Sequence, residues 1–166
     1  MSVTARRIEA PVVIALGSNL GDRGATLLAA VRELADTPGV ELTAVSTLIE
    51  TVALKPEGVD PDAPPYLNGV ALIRTTLTPP ALLEVLAGIE RAHGRERTER
   101  WGDRTLDLDI VDFAGTVSRS ERLTLPHPRA HERDFVLRPW LEVDAEAKLP
   151  GRGRVADLLA ELEGRR

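Results

Sequence analysis

The chain has 166 residues, 43% of them hydrophobic and 28% charged, with a net charge of −5 and no cysteine. That is the make-up of one globular domain. It excludes disulfides and cysteine-held metals, and it argues against the basic surface of a general nucleic-acid binder.

Residues 1–10 read as a short extension and 11–166 as a single domain. PVVIAL (11–16) is a buried-strand run that should stop at Gly17, and GSNLGDR (17–23) is turn chemistry. From about 24 to 36, Leu27, Leu28, Val31, Leu34 and Ala35 fall on one helical face, which Thr37, Pro38 and Gly39 end. VELTAVSTLIET (40–51) is rich in β-branched residues and reads as a strand. Residues 52–65 hold four of the twelve prolines and read as a long loop; long loops in compact domains are often functional. YLNGVALIRTTL (66–77) is the next strand.

Thr78 is an N-cap, followed by two prolines in the first turn of a helix that runs to about His93. Arginines cluster between residues 91 and 104, at Arg91, Arg95, Arg97, Arg100 and Arg104. TLDLDIVDF (105–113) is a strand, RLTL (122–125) another, and a last amphipathic helix covers about 154–163. The order β-α-β-β-α-β with C-terminal additions predicts an α+β, ferredoxin-like fold: an antiparallel sheet with helices on one face. No apolar run approaches the ~20 residues that cross a bilayer, and the N-terminal sequence has no signal-peptide pattern, so the expected setting is the cytoplasm.

In TLDLDI, alternation sends Leu106, Leu108 and Ile110 to one face and Asp107 and Asp109 to the other. Two carboxylates roughly 6.6 Å apart along a strand suit a pair of hard cations ~3.5–4 Å apart, and oxygen-only donors favour Mg²⁺ over zinc. Taken alone, the same alternation is that of a half-exposed strand. The arginines beside it shift the balance towards a Mg²⁺–polyphosphate site, although Arg95 and Arg97 could instead pair with Glu96 and Glu99. No G-x-x-x-x-G-K-[ST] loop occurs, so phosphates would be gripped by side chains and metals. His127 could donate to a phosphate or be a structural histidine; His131 reads as structural. Tyr66 and Asn68 share a strand face, and with Phe135 they could bind a flat heteroaromatic ring, or simply pack.

The blocks ALGSNLGDR, YLN (66–68), the stretch 94–110 ending in RTLDLDI, and ERLTLPHPRAHERDFVL (121–137), in this order, resemble the 6-hydroxymethyl-7,8-dihydropterin pyrophosphokinase family of folate biosynthesis over about residues 11–163. The resemblance implies transfer of the β,γ-pyrophosphoryl group of ATP, as co-substrate, to the pterin's hydroxymethyl oxygen, with AMP released and two Mg²⁺ bound. It implies that Asp107 and Asp109 are metal ligands and that Arg95 and Arg104 act on the transition state. It places Glu90, Arg97, Trp101, Ile110, Arg122, Thr124, His127 and Arg133 at the ATP site. Thr51, Leu54, Tyr66, Asn68 and Phe135 would form the pterin pocket, with the rings of Tyr66 and Phe135 on its two faces. Partners would be small molecules only, with no nucleic acid or membrane, and the protein a monomer. Val52-Ala53, Ala87, Asp103 and Pro128 depart from the family pattern. The rival from another class is a ferredoxin-like module for single-stranded nucleic acid, which would need exposed strand aromatics and a basic sheet face.

Overall fold

The computed structural model describes residues 9–19, 21–51, 54–55, 58–59, 65–94 and 106–165, with backbone alone at 54–55 and 58–59. Three long strands set the frame: β1 (Ala10–Ser18), β6 (Tyr66–Thr75) and β7 (Asp107–Phe113). β1 lies in the middle and pairs antiparallel with both of the others. It continues through Gly17, where the sequence suggested a stop, because β6 and β7 supply ladder partners on both sides there.

The stretch 40–51 is not one strand but two, β2 (Val40–Val45) and β3 (Ile49–Thr51), which occupy the outer side of β6 in turn. The break falls at Ser46, whose N–H donates to the Val70 carbonyl while its Oγ accepts from the Val70 N–H. The strand order is therefore β2-β6-β1-β7, with β3 also on β6. Between β3 and β6 the backbone forms a two-residue ladder, β4 (Leu54–Lys55) on β5 (Gly58–Val59), inside what the sequence reads as plain loop. Beyond β7 come the short pair β8 (Ser118–Arg119) and β9 (Thr124–Leu125), and later β10 (Lys148–Leu149) with β11 (Gly153–Arg154).

Helix α1 (Arg23–Ala35) starts where Asp22 accepts from the Ala25 N–H, and α2 (Pro79–Ala92) where Thr78 accepts from the Ala81 N–H. Gly39, at φ 84°, turns the chain from α1 into β2. Both helices bury leucines against Val12, Ile14, Leu16, Ala71, Ile73, Leu108 and Ile110 of the sheet. Each such fully buried leucine contributes roughly 1.5–3 kcal/mol.

The other sheet face is not free of helices, contrary to the expectation of helices on one face. Helix α3 (Asp134–Val143) and helix α4 (Val155–Gly164) cover it, with Val136, Leu137, Trp140 and Val155 packed on Val13, Val70 and Val111. The C-terminal additions supply this layer because alternation also puts Val13, Val70, Leu72 and Val111 on that face, and these must be buried, while its other end carries the polar residues of β6 and β7. Among the described residues no helix is long and apolar enough to cross a membrane.

Candidate functional site

Alternation along each strand decides which side chains meet. Val13, Val70 and Val111 face α3, so Ala15, Gly17, Tyr66, Asn68, Asp107 and Asp109 share that face. Registers then set the rows: Asn68 pairs with Gly17, which pairs with Asp107, and Val70 pairs with Ala15, which pairs with Asp109. With strands ~4.8 Å apart, Asn68 and Asp107 lie about 10 Å from each other across one small residue. Both acids are half-buried.

Thr51 stands opposite Tyr66, and Ile49 opposite Asn68. The Asn68 Nδ2 donates to Thr51 Oγ1 at 2.6 Å, which fixes the amide of a side chain that is only 6% exposed. Its Oδ1 lies towards Gly17, where an added Cβ would stand 3.1 Å from it. Thr51, Tyr66 and Asn68 thus form one patch beside the acids. Phe135 is in the first turn of α3, partly buried against the core of that face, and the Arg133 guanidinium carbon sits 5.7 Å from its ring centroid.

A β-bulge brings the next group in. The β1–β7 register shifts so that Ile14 faces Ile110 and Val13 faces Asp112, leaving Val111 as the extra residue. The Val111 carbonyl accepts from the His127 N–H at 2.9 Å, which ties the 126–129 turn to the edge of β7. Burial and the charges of Arg133 and Arg129 push the His127 pKa down from 6.5 to about 4, against a smaller upward pull from Asp107. The ring is therefore neutral near pH 7. Its Nδ1 accepts from the Arg129 N–H at 3.2 Å, so the proton is on Nε2, available to donate. Burial also lowers the pKa of Arg133, and Asp109 raises it. Its buried Nε has no hydrogen-bond partner among the described residues.

A cleft of about 260 Å³ opens along β7, lined by Leu83, Leu108, Asp109, Ile110, Arg122, Leu123, Thr124, His127 and Pro128. Thr124 is exposed, and Arg122 reaches from the rim to an ion pair with Glu84 of α2. Glu90 is buried and accepts from the Leu108 N–H at 3.2 Å, so its carboxylate braces the outer backbone of β7. Nothing local in the sequence signals the bulge, and the resemblance singles out Glu90 without indicating this bond to the β7 backbone. Asp107 and Asp109 form no cluster of three or more His, Cys, Asp or Glu among the described residues. Arg95, Arg97, Trp101 and Arg104 lie outside the described residues, as do Val52, Ala53 and Asp103, and the Leu54 side chain does too.

A family model described as 7,8-dihydro-6-hydroxymethylpterin-pyrophosphokinase (HPPK) matches residues 13–145. The chain belongs to the HPPK family. The 2-amino-4-hydroxy-6-hydroxymethyldihydropteridine pyrophosphokinase of Methylorubrum extorquens is 42% identical over 150 residues, covering 90% of this chain and 92% of that protein. The enzyme of the same name from Haemophilus influenzae is 38% identical over 148 residues, covering 89% and 90%. In fold, the chain is similar to the crystal structure of Plasmodium falciparum HPPK-DHPS with pterin and p-hydroxybenzoate, with a TM-score of 0.73 at 15% identity. That alignment covers 98% of this chain, which spans 44% of the length of the Plasmodium chain. The nucleic-acid alternative finds no support: α3 and α4 cover the sheet face it would use.

Proposed function

We propose that this HPPK-family protein transfers the β,γ-pyrophosphoryl group of ATP to the hydroxymethyl oxygen of 6-hydroxymethyl-7,8-dihydropterin and releases AMP, a step of folate biosynthesis. The observation that carries the reading is the row Asn68–Gly17–Asp107, which sets an oriented amide and a carboxylate on one face at a fixed spacing.

Asn68 addresses the pterin edge, and Tyr66 and Phe135 take the ring faces, with Thr51 and Leu54 beside them. The cleft along β7 receives ATP at Ile110, Arg122 and Thr124, with Glu90 bracing it. His127 Nε2–H and the Arg133 guanidinium supply donors for phosphate oxygens; the orphan Nε of Arg133 supports that role. Asp107 and Asp109 would hold two Mg²⁺. A pair of carboxylates outside any larger cluster of His, Cys, Asp or Glu among the described residues suits magnesium, which usually keeps several waters. Magnesium held by Asp107 and Asp109 would supply charge neutralisation for the phosphates and a lowered pKa for the attacking alcohol.

Arg95, Arg97, Trp101 and Arg104 complete the phosphate grip, with Arg95 and Arg104 acting where charge develops in the transition state. No strong general base is needed, because such transfers depend mainly on positioning and charge stabilisation. The ferredoxin-like description of the core is supported by the order β2-β6-β1-β7. The rest of the reading is one domain over 11–166, a cytoplasmic monomer, and small-molecule partners without nucleic acid.

The test is product analysis with ATP, the pterin alcohol and Mg²⁺. AMP formed in equal amount to the pterin diphosphate is expected. ADP as the product, or AMP formed without the pterin, would overturn the assignment.

A further inference from the structure

We infer that Arg23 is a positioning residue for the pterin side of the site, a reading that rests on the function proposed above. Arg23 is the first residue of α1, a helix rooted in the core through Leu27, Ala30, Val31 and Leu34. Its guanidinium grips two points that are distant in sequence. Nη2 donates to Glu50 Oε1 at 2.5 Å, and Nη1 donates to the Pro65 carbonyl at 2.8 Å. Glu50 adjoins Thr51, and Pro65 adjoins Tyr66, so one planar fork joins the two stems from which 52–64 departs and returns.

The stems need such a tie. β3 has three residues and, among the described residues, pairs with β6 alone; an edge strand so short holds its register weakly. A shift of Thr51 relative to Tyr66 would also move the Thr51 hydroxyl that fixes the Asn68 amide. As a contribution to global stability the contact is modest, because the Arg23 and Glu50 side chains are 27% and 60% exposed. Its effect is geometric: it couples the pterin-facing strand ends to a helix anchored on the opposite sheet face. Lysine at this position has no fork and reaches one of the two acceptors at a time.

The experiment compares wild type with Arg23→Ala, Arg23→Lys and Glu50→Gln. The readouts are KM for the pterin alcohol, Kd for α,β-methylene-ATP, thermal midpoint, and amide exchange over 49–51 and 66–67. Arg23→Ala is expected to raise the pterin KM roughly three- to tenfold. The nucleotide Kd should stay within about twofold, the midpoint should hold, and exchange should quicken at those two stems alone. Arg23→Lys should recover part of the loss, and Glu50→Gln should cause a smaller one. Unchanged pterin KM and stem exchange in Arg23→Ala would overturn the inference. So would equal weakening of both ligands, or faster exchange throughout the protein, which marks an ordinary structural pair. Absence of AMP formation by wild type would refute the proposed function instead, and stem exchange would still decide whether Arg23 ties the loop.

Discussion

Gly17→Ala probes the proposed pterin half of the site. A methyl at this position would sit 3.1 Å from Asn68 Oδ1, 3.7 Å from Tyr66 Cδ1 and 4.0 Å from the Leu67 carbonyl oxygen. These three nearest atoms all belong to β6, so the strain falls away from the acids of β7. The Asn68 oxygen must retreat by a few tenths of an ångström. It cannot do so freely, because the other end of the amide is held to Thr51 Oγ1 at 2.6 Å and the side chain is 6% exposed. Relief therefore weakens that hydrogen bond or turns the amide, at a cost of about 1–2 kcal/mol. If the cost appears in recognition, the pterin Kd rises roughly 5- to 30-fold. Calorimetric titration of the pterin alcohol and of a non-reactive ATP analogue, with thermal midpoints alongside, measures this. An unchanged pterin Kd, or equal losses for both ligands, would refute the argument that Asn68 and Gly17 share one pterin-facing row.

Asp107→Asn and Asp109→Asn should each keep the fold, since both side chains share a polar face, and lower kcat by roughly 10²-fold or more; near-normal turnover at limiting Mg²⁺ would remove them from the metal site. Glu142 of α3 accepts from the Thr47 N–H at 3.0 Å and its hydroxyl at 2.7 Å, so Glu142→Ala should lower stability by about 1 kcal/mol, the loss being small because Thr47 is exposed and water replaces the carboxylate. Urea unfolding checks it, and equal midpoints for the two proteins would count against the clamp. His127 has a folded pKa of about 4 against 6.5 in the unfolded chain, so the unfolded state binds more protons between those values. Wild type should then lose at most about 3 kcal/mol relative to His127→Gln as pH falls from 6.5 to 4, with no difference in slope above pH 7. Parallel stability curves across that window, measured in EDTA, would contradict a half-buried neutral ring.

Elements with a strong local signal were legible in the sequence. The α2 cap at Thr78 with its two prolines, and the alternation of Leu106 to Ile110, need no tertiary information to be read. The misreadings arise where the fold overrides local chemistry. Gly17 looks like a strand end, yet a central strand with neighbours on both sides runs through it. Residues 40–51 look like one strand, because the bonds that divide it at Ser46 go to Val70, 24 positions away. α3 is not a misreading but an element left unassigned from the sequence: Pro139 inside it opposes a helix on propensity alone, and the burial of Val136, Leu137, Pro139 and Trp140 outweighs the lost backbone bond. For the candidate site, residue types and strand faces could be read in advance, whereas the bulge at Val111 that draws in His127 depends on register.

The strands and helices of the described residues hold the polar row and the ends of both connections in place. Asn68, Asp107 and Asp109 ride on strands paired along their length, where position is set by ladder bonds and by cores on both faces. The segment that carries the arginines joins α2 to β7, and the residues before and after it are fixed from outside. His93, at the end of α2, meets Glu33 of α1 at 2.7 Å, and Glu90 holds the Leu108 N–H just inside β7. Residues 52–64 are bounded in the same way, through Arg23. In both places a side chain rooted in a helix secures the strand or helix end from which the connection leaves. Large changes in the length or composition of either connection are therefore compatible with an unchanged row of polar residues on the sheet.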